Sequence, residues 1–209
     1  MTFIVSLFSG FTLSFLGCLA PGVINLNMAT TTLRNGLQKA LWFALGASVV
    51  QCVQLLIAVE FARFFARSPY IQEGARWAAV IVFMALAIYY LNKKRKTPKQ
   101  LANEGPSRFP PFIKGLIIGC LNFFAIPYWI FSTGFLSAYD LFPKETFVLF
   151  LFVCGVALGT FTLLYLYARF SEYIKDHIDD IIHKTNRTVG WLFVILTVVQ
   201  LGFLMVAYL

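Results

Sequence analysis

Six long stretches of this chain contain no Lys, Arg, Asp or Glu, and all 26 charged residues lie outside them. The stretches are 1–33, 40–59, 77–92, 115–139, 146–168 and 188–209. Five of them have the ~20 residues that a helix needs to cross ~30 Å of hydrocarbon. The run at 77–92 is shorter, but Arg76 and Lys93 at its ends can snorkel to the interface. Lipid offers the backbone no hydrogen-bond partners, so each stretch must satisfy its own. The pattern predicts an all-α membrane protein with six transmembrane helices. Composition agrees: 59% of the residues are hydrophobic and mean hydropathy is +0.77, more apolar surface than a water-soluble domain needs.

The net charge of +8 records topology. Lys and Arg number 2, 3, 7, 1 and 4 in the five successive loops, so loops one, three and five hold 13 of the 17. The positive-inside rule predicts that these three loops are cytoplasmic and that both termini are periplasmic. The expected macromolecular partner is anionic lipid, with no nucleic acid. The first run lacks a basic start and exceeds a signal-peptide core, so it reads as a retained span.

The chain reads as one transmembrane transporter domain over 1–209, built from repeat one (1–92), a basic cytoplasmic loop (93–111) and repeat two (112–209). Gly17-Cys18-Leu19 recurs 102 residues later as Gly119-Cys120-Leu121. Phe43-Ala44-Leu45-Gly46 is similar to Phe152-Val153-Cys154-Gly155 at an offset of 109. Gly10 and Gly115 precede the two Gly-Cys-Leu copies. Three spans per half is an odd number, so the halves are expected as two inverted three-helix repeats with a site at the midplane between them. Gly46, and Gly155 with Gly159 at GxxxG spacing, are expected at close helix packing.

Leu19-Ala20-Pro21-Gly22-Val23-Ile24-Asn25 interrupts the first run near mid-depth. Proline removes a backbone donor and glycine loosens the helix. The freed groups must be satisfied again by protein, water or a ligand. The second copy runs through Asn122 to Ile126-Pro127-Tyr128-Trp129, so helices one and four are both expected to be broken, with the breaks facing each other. The candidate substrate-binding residues are Pro21, Gly22, Asn25, Asn27, Gln51, Asn122, Pro127 and Trp129. Ser14, Gln54, Thr133, Thr160 and Thr162 are further polar groups inside spans, and no ionisable acid or base is expected at the midplane. Amides both donate and accept, and half-helix ends present free amides and carbonyls. Such a set suits a zwitterion. The same amides would equally serve to hold helices together with no substrate present.

The four cysteines also invite two readings. Cys18 and Cys120, and likewise Cys52 and Cys154, are each 102 residues apart. They read as small apolar packers, or as the paired thiols of an electron carrier. In 169–184, Ile174, Ile178, Ile181 and Ile182 share one helical face, as in a helix lying at the interface. Asp176, Asp180 and His183 share another, a spacing that could hold a divalent metal, although exposed faces of this kind usually bind none.

Gly17-x-x-x-Pro21-Gly22-x-x-Asn25-Leu26, then Leu33-Arg34-Asn35-Gly36 and Ala44-Leu45-Gly46, resemble the opening of the LysE/RhtB (lysine exporter) family of bacterial amino-acid exporters. That family has Pro-Gly-Pro in span one and Asn-Pro in span four. Here Val23 replaces the second Pro, and Phe123 replaces the Pro after Asn122. The resemblance implies export of amino acids or similar small metabolites across the bacterial inner membrane, driven by the proton motive force, by a homodimer. Two alternatives stay open. One is a thiol–disulfide electron carrier of the CcdA type, whose Cys-x-x-Pro element Cys18-x-x-Pro21 resembles, although Cys120 lacks the matching Pro. The other is a divalent-cation exporter using 172–183. No G-x-S-x-G, Walker loop or H-E-x-x-H is present, so no enzyme and no cofactor is expected.

Overall fold

The computed structural model describes residues 3–19, 22–65, 109–122, 124–138, 141–143 and 145–174, and parts of 77–92 and 187–205. Every regular element among the described residues is helical: α1 (Phe3–Leu19), α2 (Val23–Asn35), α3 (Leu37–Phe65), α4 (Pro111–Cys120), α5 (Ala125–Ala138) and α6 (Thr146–Arg169). Helix ends follow local chemistry. Gly36 separates α2 from α3 with φ +82°, a backbone angle that side chains disfavour, and its N–H returns to the Thr32 carbonyl at 2.9 Å. Pro111 opens α4, where its missing N–H costs nothing. Arg34, Arg63 and Arg169 sit in last turns, against the negative ends of their helices.

Two helices are by themselves long and apolar enough to cross a membrane, Leu37–Phe61 and Thr146–Arg169. Two bent pairs reach that length together: α1 with α2, turned by 80°, and α4 with α5, turned by 68°. The distribution of side chains is that of a protein whose outer solvent is lipid. Ile4, Phe8, Phe131 and Phe147 are exposed, whereas Ser6, Ser14, Gln51, Gln54, Thr133 and Thr160 are buried.

The chain divides into two compact units, Met1–Ala62 with Lys96–Ile178, and Arg63–Arg95 with Asp179–Leu209. In the second, the described residues are helical, Val80, Ala87, Phe193 and Thr197 are buried, the rings of Phe83 and Phe193 lie 6.0 Å apart, and Gly190 packs on Leu91.

The first unit is held by backbone-to-backbone approach at glycines. On α1 and α6, a Cβ at Gly10 would strike the Phe152 carbonyl, one at Gly155 the Leu7 carbonyl and one at Gly159 the Phe11 carbonyl. Ser6 donates to the Val148 carbonyl at 2.8 Å, and Ser14 and Thr160 share a hydrogen bond of 2.6 Å. On α3 and α4, a Cβ at Gly115 would strike the Phe43 carbonyl and one at Gly46 the Phe112 carbonyl. Small residues permit this closeness, and lipid offers no hydrophobic force to replace it. In both pairs the contacts advance together along the two helices, so α1 runs parallel to α6 and α3 parallel to α4. Two clusters fill the remaining space. Ile24, Met28, Phe43 and Leu164 centre one, and Leu55, Val59, Trp129, Phe152 and Val156 the other.

Candidate functional site

A helix interrupted inside the membrane leaves its last carbonyls without intrahelical donors. At the first break α1 ends at Leu19 and α2 starts at Val23. Asn25 Nδ2 reaches back to the Cys18 carbonyl at 2.7 Å, and the Tyr167 hydroxyl donates to the Leu19 carbonyl at 2.9 Å. At the second, α4 ends at Cys120 and α5 starts at Ala125. There Gln54 Nε2, from α3, donates to the Gly119 carbonyl at 3.2 Å and the Asn122 carbonyl at 3.4 Å. Asn122 N–H donates to Gly119 and Ala125 N–H to Asn122, closing the turn. Each break is therefore capped by a side-chain amide.

Facing two carbonyls, the Gln54 amide must present its nitrogen, which settles the orientation of the group. Its Oε1 is then a buried acceptor with no hydrogen-bond partner among the described residues, on a residue only 6% exposed. Trp129 Nε1 is a buried donor in the same condition, on a side chain with no exposure at all. Trp129 stands edge-on to Phe152 and to Tyr128, with ring centroids 6.4 and 5.3 Å away. Leaving such a group unpaired costs about 1–3 kcal/mol. Gln54 stands on α3 and Trp129 in the second turn of α5, and each would gain a hydrogen bond from a small polar molecule that reached it.

The remaining sequence candidates separate into groups. Pro21 lies outside the described residues. Gly22 is the extended residue that caps α2, and its carbonyl accepts from Leu26 N–H at 3.0 Å. Asn25 is buried and caps the break, whereas Asn27 returns its amide to Val23, one turn back on its own helix, at 2.9 Å. Gln51 is buried on α3, three residues before Gln54. Asn122 contributes its backbone to the turn. Pro127 sits in the first turn of α5, where no donor is missed, so the interruption falls at 121–124. The basic loop over 93–108 and the Asp176, Asp180 and His183 face lie outside the described residues. Among the described residues no three His, Cys, Asp or Glu side chains gather to hold a metal.

Sequence reasoning passed over the hydroxyl of Tyr167 and left Tyr128 as either a site-lining or a packing residue, whereas both hydroxyls donate to carbonyls of α1. Tyrosines in apolar runs read as packing, and only their partners reveal the polar end. The glycine packing follows other separations than the cysteines do. The glycine contacts correspond between Gly10 and Gly115, 105 residues apart, and between Gly46 and Gly155, 109 apart. Neither separation is the 102 residues between Cys18 and Cys120 and between Cys52 and Cys154. All four are free thiols, Cys120 exposed and the others half-buried.

No curated protein and no solved structure matches the chain significantly. The family model described as LysE type translocator matches residues 15–203, a range that takes in both breaks and the glycine-packed pair of α3 and α4. This multi-pass membrane protein belongs to the LysE type translocator family.

Proposed function

We propose that the protein exports amino acids or chemically similar small metabolites across the bacterial inner membrane, driven by the proton motive force. It does so as a homodimer of six-span chains, each made of two inverted three-helix repeats with both termini periplasmic. The observations that support this reading are the two amide-capped breaks and, among the described residues, the unpaired Gln54 Oε1 and Trp129 Nε1. A zwitterion matches it: the ammonium takes Gln54 Oε1, and the carboxylate takes Trp129 Nε1–H. The parallel packing of α1 on α6, and of α3 on α4, supports the topology, because a chain that returns in the same direction has crossed an odd number of times in between. With the bent pairs counted as single spans and one span over 77–92, that number is three between α1 and α6. The reciprocal glycine contacts support the repeat.

The test is release of amino acids from cells that overexpress the chain and are loaded with a panel of dipeptides. At least one amino acid should leave faster than from control cells, and a protonophore should abolish the difference. Release of none overturns the reading.

A further inference from the structure

A cavity of about 320 Å³ lies between the second half of the first bent pair and the first half of the other. Thr31 and Asn35 from the end of α2, Lys39 from the first turn of α3 and Lys114 from α4 supply its polar wall, and the Phe109–Pro111 segment supplies the apolar one. Its volume is at the lower end of the roughly 300–1,000 Å³ of small-molecule sites, which suits a metabolite.

Lys114 shows how the wall is built. A lysine near the end of a span ordinarily extends its stem outward and leaves the ammonium among water and headgroups. Here Nζ turns toward α2 and donates to Thr31 Oγ1 at 3.4 Å. Thr30 and Thr32 return their hydroxyls to carbonyls four residues back on α2, at 2.7 and 3.0 Å, whereas Thr31 faces α4 and is only 3% exposed. Lys39 and Asn35, both exposed to solvent, line the same half-open cavity. Two lysines, a hydroxyl and an amide along one small volume are a donor set for a carboxylate, whose charge-assisted hydrogen bonds are about twice as strong as neutral ones.

We propose that this cavity is a loading site, where Lys39, Lys114 and Asn35 bind the carboxylate of a small soluble molecule before it reaches the helix breaks. The assignment rests on the export reading for its direction. The loops joining α2 to α3 and preceding α4 are two of the three basic ones, so the cavity opens on the side predicted to be cytoplasmic, where an exporter collects cargo.

The chemistry is testable without knowing the cargo. The purified full-length chain, in phosphatidylcholine nanodiscs, is treated with pyridoxal phosphate, an anionic aldehyde. It condenses with a lysine amine, releasing water, and borohydride reduces the imine to a stable secondary amine. Mass spectrometry then reads each lysine. N-acetylglycine, a carboxylate with no free amine, should protect Lys39 and Lys114 by about tenfold, the size of one charge-assisted hydrogen bond, and leave Lys93, Lys94, Lys96 and Lys99 unprotected. Thr31→Val keeps both charges and should weaken protection at Lys114. Equal protection of all lysines, or none, overturns the site. Protection that appears only when phosphatidylglycerol is added also overturns it, because the anion held there is then a lipid headgroup. Protection in a chain that exports no amino acid leaves the carboxylate site standing and removes the transport reading. Export without protection does the reverse.

Discussion

The ring of Tyr128 occupies the space that a side chain on Gly17 would need, and the Tyr128 hydroxyl donates to the Leu13 carbonyl at 2.6 Å. Gly17 stands two residues before α1 ends and Tyr128 four residues into α5, so this contact ties one broken segment to the other. Tyr128→Phe keeps the ring and loses one hydrogen bond, about 0.5–1.5 kcal/mol, and should leave export near that of the unaltered chain. Gly17→Val drives the ring out and should cost about 1–3 kcal/mol in overpacking. Thermal unfolding in detergent, with the export assay, checks both.

Glycine positions divide sharply in tolerance. A Cβ at Gly115 meets the Phe43 carbonyl, whereas one at Gly134 meets nothing within 4 Å. Gly115→Ala should lower the unfolding midpoint and the yield of folded protein, by about 1–3 kcal/mol of stability. Gly134→Ala should be neutral or stabilising by up to about 1 kcal/mol, since alanine is the better helix former. Equal behaviour of the two variants would contradict the close helix approach.

Asn25 and Asn27 are two residues apart and should respond differently. Asn25→Ala strips the donor from the Cys18 carbonyl and should destabilise by about 1–3 kcal/mol, whereas Asn27→Ala removes a bond within one helix and should change little. Gln54→Leu uncaps the second break and should match Asn25→Ala in membrane abundance. Quantitative immunoblotting of membranes, beside export rates, distinguishes the three.

Disulfide exchange requires thiolates, which serine cannot replace. The Cys18→Ser/Cys120→Ser double variant should therefore keep full export if the chain is an exporter. Complete loss of activity, with a redox-dependent crosslink between the two cysteines in the unaltered chain, would replace the exporter with a thiol carrier.

Topology is open to a direct probe. A cysteine introduced as Gln100→Cys, in the loop predicted to be cytoplasmic, should resist a membrane-impermeant maleimide applied to intact cells and react after permeabilisation. Ready labelling from outside would invert the assignment.

How far the sequence could be read depended on whether a signal was local. Charge-free runs place the helices because desolvation acts residue by residue, and Pro21-Gly22 announces an interruption because backbone chemistry is local too. The second break was legible at Asn122, but Pro127 misdirects: its missing donor costs nothing in a first turn, which only the position of Ala125 reveals. The caps were harder. Nothing in the spacing of Gln51 and Gln54 says which one meets the Gly119 carbonyl, because that depends on how α3 rotates against α4. The Gly-Cys-Leu repeat is a stronger match of letters than Gly10 with Gly115, yet the glycines mark the matching packing positions, since a missing Cβ governs approach and a cysteine does not.

Glycine seats on carbonyls have a mechanical meaning. Where two backbones touch, one helix cannot slide or roll on its neighbour without carbonyl oxygen meeting Cα, so α1 with α6, and α3 with α4, each behave as a single stiff beam. A carrier still has to open toward one compartment and then the other. Its stroke must be taken up between the beams, and each beam carries one half of an interrupted span along with it. Tightening within either beam should therefore leave turnover unchanged, whereas a crosslink from one beam to the other should stop it.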